Sequence, residues 1–123
     1  MLINLSNHPS EFWGESQLEA AAARFGSVVD IPFPAVDPLA PTNIIETLAE
    51  EYVQKCVDLA FQHPGEPLAV HVMGELTFTY LFVSAMEGRG IPCVASTTVR
   101  EVESGGSGQK TSRFRYAKFR SYF

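Results

Sequence analysis

The chemistry-bearing residues of this chain gather at a few points, and their types suit the handling of a phosphate. Ser96-Thr97-Thr98 sets three hydroxyls in a row, two residues ahead of Arg100, whose planar guanidinium matches a phosphate through two parallel hydrogen bonds. Gly74 lets backbone approach an anion closely and leaves free N–H groups where Glu75 and Thr77 open a helix. The polar turn Ser6-Asn7-His8-Pro9-Ser10 contains an imidazole able to give or take a proton near neutrality. Arg113 and Arg115 add two cations close to the C-terminus. His8 and Arg100 are therefore the catalytic candidates. Asn7, Ser10, Gly74, Glu75, Thr77, Ser96, Thr97, Thr98, Arg113 and Arg115 are the candidates for ligand binding.

Each of these residues also has a plain structural reading. A glycine between strand and helix often only makes the turn, and threonines are ordinary strand composition. A turn histidine before proline is commonly just solvated. His71, inside an apolar run, reads as a core histidine with its hydrogen bonds satisfied. Phe12 and Trp13 either stack on a base or pack beneath the first helix. Glu75 repels a phosphate but suits a ribose hydroxyl or the positive end of a helix.

The elements that must carry these residues follow from periodicity and punctuation. The first strand covers about Met1 to Asn7; the capping box Ser16-x-x-Glu19 opens a helix that Gly26 closes. Val28 to Phe33 reads as a second strand, followed by a stiff proline-rich connection from Pro34 to Pro41. Asn43-x-x-Glu46 caps a second helix whose apolar stripe runs through Ile44, Ile45, Leu48, Tyr52, Cys56 and Leu59. Leu68 to Met73 is nearly all apolar, as expected of a central parallel strand covered on both faces. A third helix, about Glu75 to Glu87, is apolar nearly all round; either a second copy of the chain or neighbours within the monomer must cover it. A fourth strand at Ile91 to Ser96 leads to a hairpin, Val99 to Glu103 with Thr111 to Phe119, around the turn Ser104-Gly105-Gly106-Ser107-Gly108. The parity of Phe114, Tyr116 and Phe119 predicts a bulge near Ala117.

This order predicts one α/β domain over residues 1–123. Its form is a Rossmann-like three-layer fold with a mainly parallel sheet and a C-terminal β-hairpin. In such sheets ligands bind beyond the carboxyl ends of the strands, which is where Asn7, Gly74 and Ser96 fall.

Charge is unevenly spread around a net of −5. Residues 1–99 carry three basic against twelve acidic side chains, whereas residues 100–123 carry six basic against two acidic. The negative body argues against long nucleic acid; the positive hairpin suits a compact anion or is simply a charged, solvated edge. Cys56 and Cys93 have no metal-like spacing and read as free buried thiols. No apolar run approaches the roughly 20 residues of a membrane span, and the N-terminus shows no targeting pattern, so a cytoplasmic location is expected. No G-x-G-x-x-G, P-loop, C-x-x-C, H-E-x-x-H or G-x-S-x-G occurs, so no metal and no cofactor is expected.

Three stretches, Ser6-Asn7-His8-Pro9, Val72-Met73-Gly74-Glu75-Leu76-Thr77 and Ala95-Ser96-Thr97-Thr98, give the chain a layout that resembles the CRISPR-associated Rossmann-fold domains. The nearest likeness is to the small stand-alone members of type III CRISPR systems. The resemblance implies an antiviral-defence role as a homodimer that binds cyclic oligoadenylate over its two-fold axis. It also implies metal-independent ring cleavage, in which a ribose 2′-hydroxyl attacks the adjacent phosphate, so that the protein is a ring nuclease that switches the signal off. Many such domains place two glycines, threonine and lysine at the third helix entry. Here that loop is Gly74-Glu75 without lysine, which moves the cationic role to Arg100, Arg113 or Arg115 or points to a different ligand. Sequestration without turnover, or an unrelated small α/β enzyme acting on a nucleotide, are the alternatives.

Overall fold

The computed structural model describes residues 1–106 and 108–123. Five strands form one sheet in the order β2-β1-β3-β4-β5, with β1 at Leu2–Ser6, β2 at Val28–Asp30, β3 at Ala69–Met73, β4 at Cys93–Ser104 and β5 at Lys110–Ser121. The first four run parallel, and β5 returns antiparallel along β4. The helices are α1 at Glu15–Phe25, α2 at Thr42–Phe61 and α3 at Leu76–Gly88. The expected Rossmann-like α/β order is the one observed.

Alternation along the strands divides the core into two layers. Ile3, Leu5, Val70, Val72 and Cys93 meet Ile45, Ala49, Val53 and Cys56 of α2 and Phe78, Phe82 and Met86 of α3. On the opposite face Leu2, Ala69, Val94 and Phe119 meet Ala21 of α1 and Trp13. Helix α3 is covered largely within the monomer, by α2 as well as the sheet: the Phe78 ring lies edge-on to Tyr52 and stacks with Phe82. Leu76 and Tyr80, 83% and 70% exposed, remain as its apolar outer residues.

Local differences from the sequence expectation have physical causes. Helix α1 begins at Glu15 behind Gly14, and α2 at Thr42 behind Pro41, so Ser16 and Asn43 fall inside the first turns and cap nothing through their side chains. The Pro41 carbonyl instead accepts from the Ile44 and Ile45 amides at 3.0 and 3.4 Å. Gly26 closes α1 at φ 81°, a conformation that favours glycine. Strand β2 stops at Asp30 because Pro32 has no N–H to continue the ladder. Strand β4 passes without interruption into the hairpin, and the register slips between Thr97 and Thr98, leaving Ala117 as the extra residue opposite. Within the hairpin turn, Ser107 lies outside the described residues.

Candidate functional site

Polar residues in buried strands must find partners, and here they find one another. Asn4 of β1 and His71 of β3 are directly paired in the ladder and are both 1% exposed, on the face that α1 covers. The amide nitrogen of Asn4 donates to the Asp30 carboxylate at 2.7 Å and to the His8 carbonyl at 2.9 Å. Two acceptors on that side fix the amide orientation, so Oδ1 faces the Ser6 hydroxyl and Nδ1 of His71, each at 2.8 Å. Since Oδ1 can only accept, Nδ1 of His71 carries the hydrogen. Its Nε2 is therefore the acceptor, and the Ser96 hydroxyl donates to it at 2.6 Å. Asp30, Asn4, His71 and Ser96 thus form one directed chain of hydrogen bonds.

Burial is the largest influence on His71, and the neighbouring His8 pushes in the same direction; the imidazolium is disfavoured and the pKa is pushed down to about 4. The ring is neutral at physiological pH. Trp13 holds it from above, edge-on at 5.3 Å between centroids, and anchors its own indole N–H on the His8 carbonyl at 2.9 Å.

A cavity of about 640 Å³ opens over this pair at the carboxyl end of β3, where β4 runs on past its parallel pairing with that strand. His71, Ser96, Met73 and Trp13 line it, together with Gln17 of α1, whose amide reaches the Ser96 hydroxyl at 3.4 Å. His8, Phe12, Thr98, Phe114, Arg115 and Tyr116 also line it, with Gly14 and Ser16 at the start of α1. Phe12 and Phe114 are 77% and 70% exposed, so their ring faces are open to a ligand. Among the described residues, no group of three or more His, Cys, Asp or Glu is placed to hold a metal ion.

Of the candidates read from the sequence, His8, Ser96, Thr98 and Arg115 line this cavity. Arg115 is shared, since its Nε lies 3.4 Å from the Glu101 carboxylate. Arg100 does not line it; it lies farther along the hairpin and donates to the Ser112 hydroxyl at 3.0 Å. Arg113 is exposed and pairs in register with Glu101, and the Thr97 hydroxyl is turned to the Lys118 carbonyl. Asn7 is exposed, its amide on the Met73 carbonyl. Ser10 binds Asp30 through both its amide and its hydroxyl, which fixes the turn rather than a ligand. At Gly74 the space is taken: an added Cβ would lie 2.2 Å from the Phe33 ring, so the close approach that glycine permits serves the protein's own aromatic. Glu75 caps α3 by accepting from the Phe78 amide at 2.7 Å, and that bond holds its carboxyl below the usual range. With Thr77 it lines a separate, smaller cavity of about 300 Å³.

The site is therefore built from the first βα turn with the start of α1, from β3 and β4, and from β5, and residues 1–120, which span all of these, match the family model described as Uncharacterized protein MJ1673 family. The chain belongs to that family. No curated protein and no solved structure matches it. The MJ1673 family match thus covers every residue of the cavity.

Phe12, Trp13, Gly14, Ser16, Gln17, His71, Met73, Phe114 and Tyr116 line the cavity without having been site candidates, and Asn4 stands behind them as the partner of His71. A signal for two of them was present: Asn4 and His71 each interrupt an apolar strand, and a polar residue in such a place requires a partner across the ladder.

Proposed function

We propose that this protein binds cyclic oligoadenylate as a homodimer and opens the ring without a metal ion, a role in shutting down type III CRISPR signalling. The observation that carries the reading is the cavity above Ser96 and His71, where the open rings of Phe12 and Phe114 stand with Arg115 and His8. Exposed aromatic faces suit base stacking, worth about 1–3 kcal/mol per base, and a guanidinium beside them suits the linking phosphate. His8, on the rim, is the candidate to protonate a leaving oxygen. The family resemblance of the sequence selects adenylate rings over other nucleotides. Leu76 and Tyr80 on the outer side of α3 are the surface assigned to self-association.

Calorimetric titration with cyclic tetra-adenylate, cyclic hexa-adenylate and AMP, followed by chromatography of the products in the presence of EDTA, tests this. The expected result is tight binding of a cyclic form, weaker binding of AMP, and linear products. Binding without products assigns sequestration instead; AMP binding more tightly than either ring overturns the reading. Sedimentation should show a dimer that Tyr80→Glu dissociates.

A further inference from the structure

We propose that Ser96 is a nucleophile towards phosphoryl centres, with His71 as its base and Asn4, backed by Asp30, as the group that orients the base. Three observations converge on it. Ser96 lines the cavity, and its hydroxyl donates to Nε2 of His71 at 2.6 Å. Nδ1 of the same ring is held by Asn4 at 2.8 Å, which selects the tautomer whose free lone pair faces Ser96. Asn4 is itself fixed by Asp30 at 2.7 Å, so the base cannot rotate without breaking buried bonds. A nucleophile, a base within hydrogen-bond reach and a third group orienting the base are the parts that activated-serine chemistry requires.

With a phosphodiester in the cavity the step balances. The Oγ–P bond forms as Nε2 takes the hydroxyl proton. The bond from phosphorus to the leaving ribose oxygen breaks with its electron pair on that oxygen, which receives the proton from Nε2; this route replaces attack by a ribose 2′-hydroxyl with His8 as the proton donor. Water then attacks the Ser96 phosphodiester adduct, giving its proton to Nε2, and Oγ leaves and recovers a proton. One water is consumed and a phosphate-ended product is released. Gln17, whose amide lies 3.4 Å from Oγ, is placed to donate to charge developing beside it. Only the identity of the phosphodiester rests on the oligoadenylate reading; the activation of Ser96 does not.

The test uses a biotin-tagged alkyl fluorophosphonate on the full-length protein. It carries no ribose hydroxyl, so an adduct can come only from a protein nucleophile. The wild type should gain one phosphonyl group with loss of fluoride, located at Ser96 by peptide mass spectrometry, and Ser6, which donates to Asn4, should stay unlabelled. Ser96→Ala should abolish labelling and His71→Gln should slow it about a hundredfold, on the scale of lost general-base help. Urea-unfolded wild type, which needs no variant to fold, should not label. The ring ¹⁵N shifts of His71 should show the Nδ1–H tautomer, and Asn4→Leu should lose that signature. An unlabelled folded wild type, equal labelling of Ser96→Ala, or an adduct elsewhere overturns the proposal. Because no oligoadenylate is present, that failure leaves ring binding untouched, and absence of ring binding leaves the labelling result standing.

Discussion

Acidification should destabilise this fold through His71 in a way that one substitution isolates. The ring is 1% exposed and its pKa is pushed from 6.5 down to about 4 by burial. In the unfolded chain the same group protonates near 6.5, so between these values the unfolded state binds the extra proton. The stabilisation is fully present above pH 6.5, is lost as pH falls to 4, and changes no further below that, where both states are charged. A difference of this size corresponds to roughly 3 kcal/mol, at 1.36 kcal/mol for each unit. Urea unfolding followed by far-ultraviolet circular dichroism at several pH values from 4 to 7 measures it. His71→Asn lowers stability throughout, because Asn4 and Ser96 lose a partner, but it removes the proton-linked part. Over that range the wild type should therefore lose roughly 3 kcal/mol more than the variant, while the carboxylates contribute equally to both. Parallel curves for the two proteins would mean that His71 takes up no extra proton on unfolding.

Other consequences follow from single contacts. Gly74→Ala places a Cβ against the Phe33 ring and should cost about 1–3 kcal/mol in denaturant unfolding, relieved by Phe33→Leu in the double variant; an unchanged midpoint means that the ring moves aside freely. Burial pushes the Cys56 and Cys93 thiols up to about 12, so a disulfide reagent at pH 8 should react with neither in the native protein and with both in urea. Rapid native reaction would contradict their burial. Arg115→Ala should weaken cyclic tetra-adenylate binding by about 1–3 kcal/mol and Arg100→Ala by less, since only Arg115 lines the cavity; the reverse order would move the site outward along the hairpin.

The sequence was most informative where one physical requirement dominated. Period-two and helical patterns gave the element order, because burial of apolar faces decides it. The bulge at Ala117 was legible because aromatic parity along β5 has to change somewhere. Helix starts were less legible: Ser16 and Asn43 have capping side chains, yet Gly14 and Pro41 are the last extended residues, and backbone conformation outranks side-chain identity there. The site was half legible. Its place at the carboxyl rim followed from topology, and Ser96, Thr98, His8 and Arg115 were among the candidates. The phosphate role expected of Gly74 turned on empty space that Phe33 occupies, a contact 41 residues away that no local pattern carries. His71 read as a satisfied core histidine, and it is one. What the sequence did not reveal is that one of its partners, Ser96, also faces a cavity.

An amide ¹H–¹⁵N titration of the protein with cyclic tetra-adenylate locates the ligand directly. Shifts should concentrate at His8, Phe12, Gln17, Ser96, Phe114 and Arg115 and saturate together. Shifts confined to the smaller cavity of Glu75 and Thr77, or none at millimolar ligand, would contradict a site above Ser96 and His71.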